Sequence, residues 1–131
     1  ELFDKRIKDP GKNQAARERL KADVEGVGAG DAEVVIEAIF ESLEAKQALY
    51  ARLEPRMKPE AIIATNTSSL MLEPLTQKLA RPERLVGLHF FNPVPQMPLI
   101  EIVQSERTDA TVMQAAVAFS RKLDKLPVQC R

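Results

Sequence analysis

The sequence holds one histidine, His89, and imidazole is the side chain that changes charge near neutral pH without help. His89 is therefore the candidate for moving a proton. Glu101 lies on the next predicted strand, where its carboxylate can bond one ring nitrogen, fix the tautomer and leave the other nitrogen as a base. Between Leu88 and Phe90, His89 fits a hydrogen-bonded core residue as well, and Glu101 fits a solvated strand position. The run Thr65-Asn66-Thr67-Ser68-Ser69 can hydrogen-bond a substrate oxygen or a cofactor ribose; the same residue types favour turns and helix caps. Glu41 and Lys46 read as a helix-surface ion pair worth roughly a few tenths of a kcal/mol. No metal-ligand spacing and no Ser-His-acid hydrolase pattern is present, so the residues define a polar α/β site with a candidate histidine base.

Composition narrows the classes. The 131 residues suit one core, and 44% hydrophobic with 29% charged residues is ordinary for a globular chain. Nineteen Lys and Arg balance nineteen Asp and Glu, which gives no general attraction to nucleic acid or an anionic membrane. No apolar run approaches the roughly 20 residues that span a bilayer. Cys130, the lone cysteine, rules out an internal disulfide and fits a reducing compartment.

The elements that must position these groups alternate. Residues 1–8 predict a helix stopped by Asp9-Pro10-Gly11, and 13–22 a second one with Ala15, Ala16, Leu20 and Ala22 as its apolar positions. Gly26, Gly28 and Gly30 precede a strand, whereas a phosphate-binding glycine loop follows a strand and opens a helix; a flexible connection is expected there. Strands are expected at 33–39, with Val34, Val35 and Ile36 buried on both faces, and at 61–65, 85–90, 99–103 and 126–129. Helices are expected from Ser42 to about Leu53, over 72–79, and from Thr108 or Asp109 onward with Val112, Ala116, Phe119 and Leu123 inward. This rhythm predicts a largely parallel sheet whose ligand crevice lies beyond the carboxyl ends of the strands. Glu37, Glu41 and Lys46, then Asn66 to Ser69, then His89 and Asn92 fall at three successive strand ends and converge on that edge.

Residues 87–95, Gly-Leu-His-Phe-Phe-Asn-Pro-Val-Pro, resemble the signature of the L-3-hydroxyacyl-CoA dehydrogenase family. The neighbours fit in order: Val34-Val35-Ile36-Glu37-Ala38-Ile39 with Glu41 and Lys46, Ala64 to Leu70, Met97 to Val103, and Lys125-Leu126-Pro127-Val128. The match is strong over 31–131 and weaker before it, where Leu2 to Lys5 and Asp23-Val24-Glu25 resemble the long form fused to an enoyl-CoA hydratase in multifunctional fatty-acid oxidation proteins.

The resemblance implies that residues 1–131 are part of a NAD-binding domain. Its fold would be an incomplete Rossmann-like, doubly wound and mainly parallel sheet, without the family's first strand-helix unit and its GxGxxG loop. It implies NAD-dependent oxidation of L-3-hydroxyacyl-CoA to 3-oxoacyl-CoA in fatty-acid β-oxidation. His89 would be the base, Glu101 its orienting carboxylate, and Ser68 would sit near the reacting oxygen, contacting substrate and cofactor. Ile39, Phe40, Glu41, Lys46 and Asn92 would line the NAD cleft. A related 3-hydroxybutyryl-CoA or 3-hydroxyacid dehydrogenase is the alternative, and an inactive structural fragment is the alternative of another class. The family's helical domain, with a further catalytic asparagine and much of the acyl-CoA pocket, has no counterpart in the sequence. Expected partners are an acyl-CoA substrate, no nucleic acid and no metal, a second copy of the chain through the exposed 33–39 edge or the first 25 residues, and a thiolase subunit for the longer protein. The expected location is the bacterial cytoplasm, or mitochondria or peroxisomes in a eukaryote.

Overall fold

The computed structural model describes residues 2–130. Helices α1 (Leu2–Arg6) and α2 (Pro10–Arg19) form a hairpin ahead of β1 (Val34–Glu37). There follow α3 (Leu43–Leu53), β2 (Ile62–Thr65), α4 (Leu72–Thr76), β3 (Leu85–Phe90), β4 (Leu99–Val103), α5 (Ala110–Lys122) and β5 (Leu126–Cys130). The five strands lie in sequence order in one sheet. β1, β2 and β3 are parallel, β4 runs antiparallel to β3, and β5 is parallel to β4.

Alternation along the strands gives the sheet two packed faces. On one, Ile62, Ala64, Val86, Leu88, Ile100 and Ile102 meet Val112, Met113 and Ala116 of α5. On the other, Ile63 and Leu85 meet Tyr50 of α3 and Leu72 and Leu75 of α4. Glu37, Thr65, His89 and Glu101 share parity with this second face, so α3 and α4 cover the face that carries the polar groups. Gly87 is needed there: a Cβ at that position would lie 2.9 Å from the Val103 Cβ, and its absence lets β3 and β4 close up beneath His89.

Several expectations change. Asp9-Pro10-Gly11 starts α2 rather than only ending α1, because the Asp9 carboxylate accepts from the Lys12 amide at 2.7 Å and Pro10 needs no N–H partner at the first turn. The three glycines are not a loose connection; Val27–Gly30 is a 3₁₀ turn anchored by the Gly28 amide on Asp23 at 2.6 Å. β1 is shorter than 33–39 and is not buried on both faces: as the edge strand it leaves Ile36 42% exposed. Leu123 stands outside α5 and is exposed, while Met113 and Ser120 take buried positions on that helix.

At the amino end of the sheet a buried ion pair ties the turn after α3 to the turn before β3. The Glu54 carboxylate accepts from Arg84 at 3.1 Å and from the backbone amides of Ala80 and Arg81 at 2.7 and 2.9 Å. Both side chains are under 10% exposed. Removing one partner leaves a buried charge without its counter-ion. Glu54→Ala is therefore expected to cost about 3 kcal/mol or more in urea unfolding. A loss within about 1 kcal/mol, the range of a surface pair, would show that the pair carries no structural weight.

Candidate active site

The carboxyl edge of the sheet is organised from Glu37, the last residue of β1, which is 3% exposed. Its Oε1 accepts from the Lys46 ammonium and the Ile39 amide, both at 2.7 Å, and its Oε2 accepts from the Tyr50 hydroxyl at 2.9 Å and the Thr65 hydroxyl at 2.8 Å. A buried carboxylate persists only with such a set of donors. Burial pushes the Tyr50 phenol above its usual range, so it stays a neutral donor.

Lys46 is 1% exposed, so the expected surface pair has one buried partner, Lys46, while Glu41 keeps an exposed side. Besides Glu37, its ammonium reaches Glu41 Oε2 at 3.3 Å and donates to the Ile39 carbonyl at 3.3 Å. Lys46 meets any ligand only through those groups. The Glu37–Lys46 pair, buried on both sides, is of a different energetic order from the few tenths expected of an exposed one.

Glu41, just before the Ser42 cap of α3, carries the network to β2. Its Oε1 accepts from the Thr67 hydroxyl, from the amides of Ser68 and Ser69 at 3.0 and 3.2 Å, and from the Ser69 hydroxyl at 3.2 Å. Burial works against its charge, but these donors and Lys46 hold the carboxyl at about 2 against an ordinary 4.5. The Thr65–Ser69 run does the turn work its residue types favour. Thr67 Oγ1 accepts from the Leu70 amide at 3.0 Å as a turn, and the segment is also tied to a strand-end carboxylate. Asn66 Oδ1, accepting from the Phe90 amide at 2.8 Å, joins the ends of β2 and β3.

His89 and Glu101 are directly opposed in the antiparallel ladder, and Nδ1 lies 3.1 Å from Glu101 Oε2. With Nδ1–H donating to that carboxylate, Nε2 is left as the acceptor. Phe91 packs its ring 4.5 Å from the imidazole centroid and limits its rotation. The pair lines a cavity of about 340 Å³ together with Ser68, Met71, Gly87 and Gln104. Of the expected site residues, Ser68, His89 and Glu101 share this cavity, and Glu41 and Lys46 stand behind Ser68. Ile39 and Phe40 line a separate shallow groove with Ala45 and Leu49 of α3, and Asn92 is exposed on the loop after β3; none of these three lines the cavity. Both backbone groups of Ile39 are already bonded, so it offers a ligand apolar contact.

Tyr50 and Phe91 escaped sequence reasoning, as did the carboxylates that Thr65 and Thr67 bond. Spacing held one signal for them. Glu37, at the end of an apolar strand, needs buried donors, and Tyr50 stands one helical turn beyond Lys46 on the same face of α3.

The residues fit one half of a dinucleotide. The strand ends offer an acceptor at Glu41, a hydroxyl at exposed Ser68 and an apolar surface at Phe40, 73% exposed, which suit a ribose and a nicotinamide ring. A pyrophosphate cradle of glycine amides at a helix N-terminus is not among the described residues.

A mainly parallel sheet with a histidine-carboxylate pair and hydroxyls at its carboxyl edge defines a dinucleotide-binding domain of the dehydrogenase class. The chain belongs to the family described as 3-hydroxyacyl-CoA dehydrogenase, NAD binding domain, whose model matches residues 2–131. It is 40% identical over 131 residues to the fatty acid oxidation complex subunit alpha of Vibrio vulnificus, covering 97% of this chain and 19% of that protein. It is 48% identical over 96 residues to the same subunit of Vibrio campbellii, covering 73% and 14%. Among solved structures, 3-hydroxybutyryl-CoA dehydrogenase from Escherichia coli superposes with a TM-score of 0.89 at 35% identity, covering 96% of this chain and 27% of that one. The (S)-3-hydroxybutyryl-CoA dehydrogenase of Ralstonia eutropha superposes with 0.90 at 31% identity, covering 98% and 45%. The chain thus spans a fifth or less of the curated relatives named here.

The lowered pKa of Glu41 has a consequence for folding. A carboxyl lowered from 4.5 to about 2 contributes stability that is whole above pH 4.5 and lost as pH falls toward 2. Over that window Glu41→Gln should lose stability less steeply than the unsubstituted chain, as read from urea midpoints at successive pH values. Parallel curves would mean that Glu41 is not charged and anchored as described.

Proposed function

We propose that the protein carrying this chain oxidises L-3-hydroxyacyl-CoA to 3-oxoacyl-CoA with NAD, and that His89 is its base. The observation that carries this reading is the 3.1 Å contact of His89 Nδ1 with Glu101, in a cavity that Ser68 also lines; with Nδ1–H donating to the carboxylate, Nε2 is free to accept a proton. His89 Nε2 takes the proton of the 3-hydroxyl, and the Glu101 carboxylate steadies the imidazolium that forms. Ser68 donates to the reacting oxygen, held in place by the Glu41 anchor on its amide. NAD, when bound, supplies the acceptor for the hydride that leaves C3. Glu41, Ser68 and Asn92 would hold its ribose and nicotinamide side, Ile39 and Phe40 would give it apolar contact, and Lys46 would serve by fixing Glu41 and the Ile39 carbonyl.

The two named structural neighbours favour a short-chain variant of the same reaction, on 3-hydroxybutyryl-CoA. A chain-length profile of the full-length protein separates the two. The relatives' complexes support an acyl-CoA substrate, and we extend this to a thiolase subunit as partner of the longer protein in a bacterial cytoplasm. The 131-residue chain alone is read as inactive, and its exposed β1 edge and α1–α2 hairpin as surfaces where a second copy pairs.

In the full-length protein, His89→Gln should leave NAD affinity nearly unchanged and lower turnover at least about 10²-fold. Near-normal turnover would remove His89 as the base. The isolated chain should bind NAD only at about millimolar strength, since the pyrophosphate has no cradle on it. Micromolar binding by calorimetry would contradict that assignment.

A further inference from the structure

The loop 91–98 joins the strand of His89 to the strand of Glu101, and something outside both strands holds it. α5 ends in a turn in which Asp124 takes a left-handed backbone, φ 55°, and the Lys125 amide bonds back to the Ser120 carbonyl at 3.1 Å. That reversal brings Lys125 over the loop. Its ammonium donates to the Val94 carbonyl at 2.5 Å and to the Met97 carbonyl at 2.6 Å. The next amide, of Leu126, bonds the Pro98 carbonyl at 2.7 Å. Within the loop, Gln96 and Met97 amides turn back onto the Pro93 carbonyl. Pro93, Pro95 and Pro98 have no amide hydrogen to donate, so the loop has few donors of its own for its carbonyls. Two of these converge on one point, an arrangement that calls for a cation.

We propose that Lys125 is a positioning residue for the His89–Glu101 pair, pinning loop 91–98 and so fixing the β3–β4 register that sets the ring against the carboxylate. This rests on the reading of His89 as base only for its effect on rate; the geometric part stands apart from it. Asn92 and Phe91 belong to the same loop, so the pin also fixes the ring that flanks the imidazole.

Nitrogen NMR of the His89 ring tests the geometry without reference to activity. At a pH where the ring is neutral, the unsubstituted chain should show Nδ1 protonated and Nε2 bare. Lys125→Met should give a mixture of the two tautomers, and Lys125→Arg, which can still donate to both carbonyls, should restore the first pattern. In the full-length protein Lys125→Met should lower kcat roughly tenfold or more, with Lys125→Arg recovering most of it. An unchanged tautomer in Lys125→Met overturns the proposal. If that variant does not fold, the Lys125 ammonium of the unsubstituted chain decides: slow proton exchange and couplings to the Val94 and Met97 carbonyl carbons support the pin, and a freely exchanging ammonium overturns it. A tautomer shift without a fall in kcat would instead count against His89 as the base and leave the pin standing.

Discussion

The contact between Glu37 and Lys46 is the constraint from which the carboxyl edge of the sheet is built. Both side chains are 1% exposed and 2.7 Å apart. Neither charge survives burial without the other and without further hydrogen bonds, so each recruits partners. Glu37 gathers Tyr50 of α3, Thr65 of β2 and the amide that turns the chain out of β1. Lys46 gathers Glu41, and Glu41 gathers the amides and hydroxyls after β2. One buried pair thereby joins two strand ends and a helix, and it leaves Ser68 exposed at the mouth of the cavity.

The histidine reaches the same cavity by a different device. β3 is parallel to β2, which brings its end to the shared edge, while β4 reverses and places Glu101 opposite His89. Residues paired across an antiparallel ladder have adjacent side chains on one face, so the sheet register sets the carboxylate against the imidazole. Gly87 allows the close approach, and Phe91 closes the other side of the ring. The site therefore combines a rigid acid-base pair on strands with a hydroxyl loop anchored by carboxylates.

Much of this was legible in the residues, because strand and helix periods are set by burial. The β-branched and aliphatic runs located every strand boundary to within two residues, and Ser42 and Asp109 marked helix starts that the structure caps with those side chains. The convergence of Glu41, Ser68 and His89 followed from strand order alone. The depth of Lys46 did not follow. A lysine four residues after a cap reads as a surface group, and only the tertiary neighbours Glu37 and Glu41 make its burial tolerable. The antiparallel turn of β4 and the hold of Lys125 on loop 91–98 depend equally on contacts far apart in the chain, which no local pattern encodes.

A double-mutant cycle on Glu37→Gln and Lys46→Met, followed by urea unfolding at pH 7, tests this arrangement most directly. Each single change strands a buried charge and should cost about 3 to 5 kcal/mol. The double variant should cost about as much as either single one, giving a coupling of several kcal/mol. Losses that add within about 0.5 kcal/mol would show that the two groups act independently, and the edge of the sheet would then need another foundation.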